Sequence, residues 1–221
     1  MNVLFFDTSN NWMTVAVYSL KMNHTQRLYL SNSPSAKDSS YKLVGEIEKA
    51  LGVLPHNKPD AIATCIGPGS FTGIRICVST ARNLSQIWQT PVIGFDSLEV
   101  YCRSFRNGAK PPMFVLNARQ KKVYAAFLQN NEFHPSMDIH PDTLEKDFSQ
   151  ELQTYQIYTD MESYANRGIL LGDTLPLPEA TLTHYKEQIM NASLQENHYA
   201  TLVPNYLRGS YAEEKNQNEK K

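Results

Sequence analysis

The sequence predicts an α/β fold of two lobes, of which the second is the smaller. The first observation is the order of the patterns, because apolar runs and amphipathic stretches succeed one another as three strands, helix, strand, helix, strand and helix. The second is a glycine-rich turn that joins an apolar run at 60–66 to a helical pattern at 74–89. The third is a new pair of alternating runs from Met113, after a linker rich in proline and glycine. We expect lobes at 1–106 and 107–211 and a charged, disordered tail at 212–221.

The composition is that of an ordinary globular protein. Of 221 residues, 41% are hydrophobic and 19% charged, and the formal net charge is −1. Such a charge gives no general attraction to nucleic acid or to anionic lipid, so we expect little direct tRNA binding. No apolar run approaches the ~20 residues of a membrane span, and the apolar start is too short for a signal peptide. The three cysteines form no CxxC pair, which suits a reducing compartment, and we expect a cytoplasmic protein without membrane attachment.

Three strands begin the chain. An apolar run at Asn2–Phe6 is followed by strand patterns at 12–20 and 26–31, which predict an antiparallel meander. Asp7 stands at the carboxyl end of the first strand. In a kinase-like fold it would coordinate a metal or meet a phosphate, but a turn-forming aspartate is the favoured interpretation.

Two amphipathic helices come next. The first, at 37–51, has Leu43, Ile47 and Leu51 in line and ends at Gly52. The second, at 72–88, carries apolar residues on two faces, more than one sheet can bury. Those faces are Cys77, Ala81, Leu84 and Trp88 on one side and Ile74, Val78 and Ser85 on the other. Taken alone, this pattern favours plain core, and a second helix packed against this surface is the alternative.

The remaining elements continue the alternation. Because the strands at 60–66 and 92–94 flank a helix, they form a crossover unit and should be parallel. Asp96 or Ser97 caps a third helix that runs to about Arg106. Beyond the linker we expect a hairpin of strands 113–116 and 123–129, a helix at 143–155, a short strand at 157–158, a buried strand at 168–172 and a helix at 182–194.

The glycine-rich turn has two interpretations. Gly67, Gly69 and Gly73 allow a sharp turn that leaves the amides of the helix start free for an anion, with Ser70 or Thr72 as the cap. Many α/β proteins need such a turn only for close packing, and the spacing matches neither the P-loop nor the dinucleotide fingerprint. Spacing alone therefore favours the structural interpretation.

The chain resembles known proteins at two levels. The element order is that of the ribonuclease-H-like lobe, which occurs twice in the actin, Hsp70 and sugar-kinase architecture, here with a reduced second lobe. The run Gly67-Pro-Gly-Ser-Phe-Thr-Gly-Ile-Arg75 resembles the signature of the bacterial TsaB (YeaZ) family, a scaffold of the machinery that installs threonylcarbamoyladenosine on tRNA. Partial matches occur in order along the chain: Asp7-Thr8-Ser9, Ala118-Arg119, Val123-Tyr124, Leu171-Gly172-Asp173, Pro204-Asn-Tyr-Leu-Arg208 and Ala212-Glu213.

The family resemblance implies a scaffold that is not itself the catalyst. It implies that the first two helices bind a paralogous, TsaD-like catalytic subunit, that a TsaE-like ATPase docks on the complex, and that the chain pairs with itself when alone. No cofactor is required, although ATP or ADP at the heterodimer interface is compatible with the family. The expected helix interface is Leu43, Ile47, Leu51, Ile74, Val78, Ala81 and Leu84. The residues expected at the glycine loop, as contacts for a nucleotide, are Asp7, Gly67, Gly69, Ser70, Thr72, Gly73 and Arg75.

We expect no metal site. Related catalytic subunits carry an HxxxH pair on the helix after the last strand of this lobe, and the surrounding pattern places Ser97 and Tyr101 there. None of the six histidines has a partner four residues away. The chain also departs from its family's usual pattern: Cys77 replaces a common glycine, Asn117 replaces an aspartate, and Ser39-Ser40 lacks a frequent histidine.

Two other functions stay open. A small kinase-like phosphotransferase would need paired acids near a phosphate loop, and a peptidase-like enzyme would need a nucleophile or a metal site. A weaker hypothesis is direct RNA binding by Arg103, Arg106, Lys110, Arg119, Lys121 and Lys122.

Overall fold

The fold consists of two five-stranded mixed sheets with helices between and outside them. The computed structural model describes residues 1–33, 38–172 and 175–207. The strands are β1 Asn2–Asp7, β2 Met13–Lys21, β3 His24–Ser33, β4 Ala61–Gly67, β5 Val92–Asp96, β6 Pro112–Asn117, β7 Val123–Gln129, β8 Glu132–Ile139, β9 Gln156–Thr159 and β10 Gly168–Leu170. The helices are α1 Ser39–Leu51, α2 Phe71–Trp88, α3 Ser97–Ser104, α4 Pro141–Asp147, α5 Ser149–Thr154, α6 Glu179–His184 and α7 Lys186–Met190.

The two sheets share one topology. The first has the order β3-β2-β1-β4-β5 and the second β8-β7-β6-β9-β10. In each, the first two pairings of this order are antiparallel and the last two are parallel. The α/β fold with a repeated, shortened second sheet is therefore confirmed. The lobe boundaries stay a prediction, and the proposed tail lies outside the described residues.

Three hydrophobic clusters define the layers. One face of the first sheet packs against the inner sides of α1 and α2. Its other face packs against α3, which also contacts β6 and β7, so one continuous cluster runs from Phe5 through Leu98 and Tyr101 to Phe114 and Tyr158. The outer face of the second sheet is covered by α4 and α5. The linker thus joins sheets that share a core.

Several boundaries in the second half differ from the predictions. The strand β8 was not predicted, and the helix expected at 143–155 is divided at Phe148 into α4 and α5. The strand expected to be buried, β10, is an edge strand in which Ile169 and Leu170 are exposed. The helix expected at 182–194 begins earlier, after Pro178, and is divided into α6 and α7.

Candidate functional site

The turn after β1 is a closed polar network at the centre of the first sheet. The Asp7 carboxylate is buried; Oδ1 accepts from the Ser9 amide at 2.7 Å and Oδ2 from the Tyr101 hydroxyl at 2.6 Å. Ser9 Oγ lies 2.9 Å from both Ser97 Oγ and the Tyr101 hydroxyl. Burial raises the pKa of the Asp7 carboxyl, although hydrogen bonds from Ser9 and Tyr101 oppose this shift. The favoured interpretation of Asp7, a residue that shapes its turn, agrees with these contacts.

Positions 97 and 101 both face this turn. They are one helical turn apart on α3, so both side chains reach Ser9. Where the family pattern of catalytic subunits has two imidazoles, this chain has a hydroxymethyl and a phenol that hydrogen-bond within the protein. The described part of the chain contains no group of three or more His, Cys, Asp or Glu side chains that could hold a metal ion.

The glycine-rich segment 67–73, called the glycine loop below, packs tightly against the turn after β1. Added Cβ atoms at Gly69 and Gly73 would overlap the carbonyl oxygens of Ser9 and Thr8, and one at Gly67 would lie 2.6 Å from a backbone oxygen. Gly67 also has a φ of +111°, a region that favours glycine. These three glycines are therefore required by close approach of the backbone, as the structural interpretation predicted.

Two amides of the loop are already used. The Ser70 amide donates to the Ser9 carbonyl at 2.6 Å, and the Gly73 amide donates to Ser70 Oγ at 3.3 Å, which identifies Ser70 as the helix cap. Asp7 and the loop therefore lie together, but an anion would have to compete with internal acceptors for these two donors. Nucleotide binding at this loop stays a prediction.

Cys77 belongs to this packed region. The Thr8 amide donates to its Sγ at 3.0 Å, and Thr8 Oγ1 lies 3.1 Å away. Burial raises the pKa of the Cys77 thiol to about 12, so the thiol is neutral. The residue that departs from the family pattern here serves as a packing and hydrogen-bonding partner of the turn.

Arg75 and Thr72 lie on the exposed surface of α2 and not in the buried turn. Both are exposed, and the Arg75 guanidinium lies 3.9 Å from the centre of the Phe71 ring and donates from Nε to the Tyr206 hydroxyl at 3.1 Å. Phe71 and Tyr206 also contact each other, with ring centres 5.0 Å apart. Together with Tyr199, they line a groove of about 760 Å³ between α2 and the segment 199–206. No pattern in the sequence predicted this groove.

The expected helix interface is wrong for most of its residues. The side chains of Leu43, Ile47, Leu51, Ile74, Val78 and Ala81 are buried in the chain's own core against the first sheet. Only Leu84 of the expected set is partly exposed. A side chain that already packs against its own sheet is not available to a partner, so plain core, the interpretation that the pattern alone favoured, holds for these six residues.

The opposite sides of the same helices carry an exposed or half-buried stripe with large apolar residues. We define this outer stripe as Tyr41, Val44, Gly45 and Glu48 on α1 and Ile76, Thr80, Asn83 and Ile87 on α2. Tyr41, Val44 and Ile87 are 87%, 65% and 72% exposed. Both helices cover the same face of the first sheet and contact each other, so both halves of the stripe lie on the outer side of one helical layer. The spacings i, i+3, i+4 and i+7 could have identified it in the sequence.

A second polar junction joins the two sheets. Asp96 caps α3 by accepting from the amides of Leu98 and Glu99 at 2.9 and 3.2 Å, as predicted. It also accepts from the Ser136 hydroxyl of β8 at 2.7 Å and from Asn205 Nδ2 at 3.5 Å. Burial raises the pKa of Asp96 to about 6.

The basic residues considered for RNA do not form one surface. Arg103 is buried and pairs with Glu99, with Nε 2.8 Å from the carboxylate. Arg106 and Lys110 precede β6, whereas the basic turn 119–122 lies after its other end. Arg103 is therefore not available to RNA, and direct RNA binding by the other five residues stays a prediction.

A family model and several curated proteins match this chain. The family model described as TsaD, tRNA N6-adenosine threonylcarbamoyltransferase, matches residues 34–181. A protein of Buchnera aphidicola subsp. Schizaphis graminum named tRNA threonylcarbamoyladenosine biosynthesis protein TsaB is 31% identical over 134 residues, 58% of this chain and 61% of the relative. The protein of that name in Escherichia coli K12 is 27% identical over 136 residues, 60% of this chain and 57% of the relative. The matched region is thus about three-fifths of the length of these curated relatives.

Two solved structures from Pseudomonas aeruginosa share the fold. A protein described as similar to peptidase YEAZ has a TM-score of 0.72 at 20% identity, over 94% of this chain and 99% of that one. The structure called YeaZ has a TM-score of 0.70 at 21% identity, over 93% of this chain and 100% of that one.

Among the described helices, none has the length and apolar character that a membrane span requires. Because the family model spans well over half of its residues, the chain belongs to the family that the TsaD model describes, and it is similar to the proteins named TsaB and YeaZ.

Proposed function

We propose that this chain acts in the biosynthesis of tRNA threonylcarbamoyladenosine, as a non-catalytic scaffold that binds a TsaD-like catalytic subunit. The role in biosynthesis is supported by the names of its curated relatives, with which it shares about three-fifths of their length. The scaffold role is supported by the chemistry of the turn after β1 and by the surface of α1 and α2.

The observation that carries the proposal is the outer stripe. Large apolar side chains that are exposed on two adjacent helices are typical of a surface that binds another protein. The stripe combines apolar and aromatic side chains, Tyr41, Val44 and Ile87, with polar ones such as Glu48 and Asn83, and docking surfaces have such a mixed composition. A partner that presents a pair of helices would cover both α1 and α2, as the family resemblance implies.

The turn after β1 supports a non-catalytic role. A phosphotransferase needs acids that are free to hold magnesium near the phosphates, but Asp7 is held by Ser9 and Tyr101. At the equivalent end of β6 stands Asn117 in place of an acid. A metal-dependent catalytic subunit needs imidazoles where Ser97 and Tyr101 stand. These residues favour the scaffold over the kinase-like and peptidase-like alternatives.

The other expected partners depend on the same surface. When the catalytic subunit is absent, a second copy of this chain would cover the outer stripe and give a homodimer. A TsaE-like ATPase, and ATP or ADP at the heterodimer interface, are further expectations that depend on this complex. We expect none of them to be needed for the fold of the isolated chain.

The test is a mixing experiment with the TsaD-like subunit of the same genome. Mixed wild-type chains should elute from a sizing column with the mass of a heterodimer by light scattering, and Ile87→Glu should abolish this complex. The matched control is Met22→Glu, because Met22 is similarly exposed, at 66%, but lies in the turn between β2 and β3. Both variants should keep the wild-type thermal midpoint. A wild-type mixture that stays monomeric or homodimeric with nucleotide present would contradict the proposal, as would a complex that Ile87→Glu leaves intact.

A second measurement addresses the enzyme alternatives. The isolated chain should not turn over ATP with magnesium, and it should not cleave peptides. Turnover that is lost in a variant of Asp7 would favour a phosphotransferase instead.

A further inference from the structure

A polar cavity lies beside the linker, away from the turn after β1. Its volume is about 720 Å³, and its walls are the linker 106–112, the turn between β7 and β8, and the end of α6. It is at the carboxyl end of α3, whereas Ser97 and the turn after β1 are at the amino end of the same helix. The cavity therefore belongs neither to the glycine loop nor to the outer stripe.

The described lining residues carry two cations, Arg106 and Lys110, and several hydrogen-bond donors. Among the described residues of the lining, Arg106, Lys110 and His184 are the titratable side chains, and none of these described residues carries a carboxylate. The side-chain amides of Asn107, Asn130 and Asn131 add further donors to its walls, whereas the Thr183 hydroxyl is already used by the Glu179 carbonyl oxygen, at 2.7 Å. Such a set of donors is suited to an anion with several oxygens, which accepts hydrogen bonds from each side.

The charged groups near His184 also favour a negative ligand in the cavity. Glu99, the acid that acts on the pKa of His184, is already paired, since it accepts from Arg103 at 2.8 Å and from the Tyr185 hydroxyl at 2.6 Å. The pKa of His184 is lowered, first by burial and then by the charges of Arg103 and Arg106, with Glu99 opposing. An additional positive charge is therefore disfavoured at His184, and a negative ligand would be favoured.

Part of the cationic wall is held in place by the fold. Arg106 Nη1 donates to the carbonyl oxygen of Ala180 on α6 at 3.2 Å. Arg103 Nη1 lies 3.5 Å from the carbonyl oxygen of Asn131, which ties the turn between β7 and β8 to α3. Because Arg106 and this turn are tied to helices, less side-chain entropy would be lost on binding.

The basic residues are not explained by the α3 helix alone. Cations near a helix carboxyl end are favourable in themselves, and Arg103 meets that need within the last turn. Lys110 and His184 come from the linker and from another helix, yet they line the same cavity. A volume of 720 Å³ also lies within the ~300–1,000 Å³ of small-molecule sites, larger than a bare inorganic ion requires.

We propose that this cavity binds a small phosphorylated molecule, whose phosphate group is held by Arg106, Lys110 and His184. The recognised chemistry is the phosphate dianion, and the remaining volume accommodates an organic part against the asparagine side chains. Bound there, the ligand would join the linker, the turn between β7 and β8, and α6.

The test is calorimetric titration of the full chain with adenosine 5′-monophosphate, inorganic phosphate and uncharged adenosine as probes. The monophosphate should bind, and adenosine should bind at least tenfold more weakly. Inorganic phosphate that binds as tightly as the monophosphate would identify free phosphate as the ligand and would still support the anion site. Equal affinities for adenosine and its monophosphate would overturn the proposal.

Variants locate the binding. Lys110→Gln should weaken binding of the monophosphate. The double variant Arg106→Gln with Lys110→Gln should weaken it by at least tenfold. Arg82→Gln is the matched control, because Arg82 lines the groove beside α2 and not this cavity. Lys110 is exposed, so its variant also tests the site if loss of the Arg106 contact to α6 affects folding. Unchanged affinity in the Lys110 and double variants would place the ligand elsewhere and overturn the proposal.

Histidine proton resonances give an independent readout. Because a bound dianion favours the protonated imidazole, saturation with inorganic phosphate should raise the measured pKa of His184. The imidazole resonances of exposed His56 at a fixed pH serve as the control and should not move. The same shift at both histidines, or none at His184, would contradict a site at this cavity.

Discussion

The turns after β1 and β6 occupy equivalent places in two sheets of the same topology, but only the first is enclosed. Each comes directly after the central strand of its sheet. Asp7, Thr8 and Ser9 are buried and hydrogen-bonded to the glycine loop and α3. Asn117 and Arg119 are exposed; the Asn117 amide donates to Asp160 at 2.8 Å, and its side chain accepts from the Arg119 amide at 2.7 Å.

The difference comes from the segment after the next parallel strand. After β4 the chain forms the glycine loop and the 18-residue α2, which close over the first turn. After β9 it forms only a short 3₁₀ turn, Glu162–Tyr164, before the three-residue β10. The second turn is therefore left open, and its non-glycine residues Arg119, Gln120 and Lys121 have positive φ. The same strand order thus encloses a polar turn only where a full helix covers it.

The strongest test of the enclosed turn is Gly73→Ala. Its Cβ would overlap the Thr8 carbonyl oxygen, so either the loop or the turn must move. We expect the free energy of unfolding to fall by about 2–3 kcal/mol or more, as for other overpacked sites. Urea unfolding followed by circular dichroism measures this change.

Gly45→Ala is the matched control. Gly45 lies on the exposed side of α1, and no atom lies within 4 Å of an added Cβ. Alanine there should stabilise the helix by about 0.5–1 kcal/mol. Equal effects of the two substitutions would mean that the glycine loop does not rest tightly on the turn.

A smaller effect is expected for Tyr101→Phe. It removes the donor to Asp7 Oδ2 and leaves this buried oxygen without that partner, which should cost about 1–3 kcal/mol. Tyr206→Phe is the control, since the Tyr206 hydroxyl is in an exposed pair with Arg75, and it should change stability by less than about 0.5 kcal/mol.

The pH dependence gives Tyr101→Phe a second signature. The pKa of Asp7 is raised in the folded protein, so stability falls as pH rises from the unfolded value of about 4 through the folded value. The Tyr101 hydroxyl favours the ionised carboxylate, and its loss raises the folded pKa further. The variant should therefore be more destabilised at pH 7 than at pH 4. A loss that is equal at both pH values would show that the Asp7 carboxyl does not depend on this hydroxyl.

The first sheet was predicted well from the sequence because its signals are local. The strand patterns, the cap at Asp96 and the close-packed glycines each depend on a few neighbouring residues. The side of α2 that faces the sheet could not be predicted from local sequence, because both sides of the helix carry apolar residues. Val78 was assigned to a partner but lies in the core, and Ile87 lies outside. Only the position of the sheet relative to the helix decides between them.

The second sheet was harder to predict because its edges are polar. The strand β8 contains His134, Pro135 and Ser136, which do not alternate like a core strand, and proline is tolerated there because β8 is an edge strand. The cavity beside the linker was also missed. Its walls come from the linker, a hairpin turn and α6, which are far apart in sequence.

The open turn gives the smallest predicted effect and the opposite sign, in Lys121→Gly. Lys121 has a φ of 62°, and a left-handed residue other than glycine costs about 1–2 kcal/mol. Glycine removes this cost but adds about 0.5–1 kcal/mol of backbone entropy to the unfolded chain, so a net stabilisation of up to about 1 kcal/mol is expected. Lys121→Ala is the matched control, because it removes the same charge but keeps a Cβ, and it should not stabilise. Thermal unfolding would separate the two variants, and a gain in both would assign the effect to the lost charge rather than to the backbone. Stabilisation by glycine alone would show that the second turn is held by its own backbone, whereas the first is held by the glycine loop and α3.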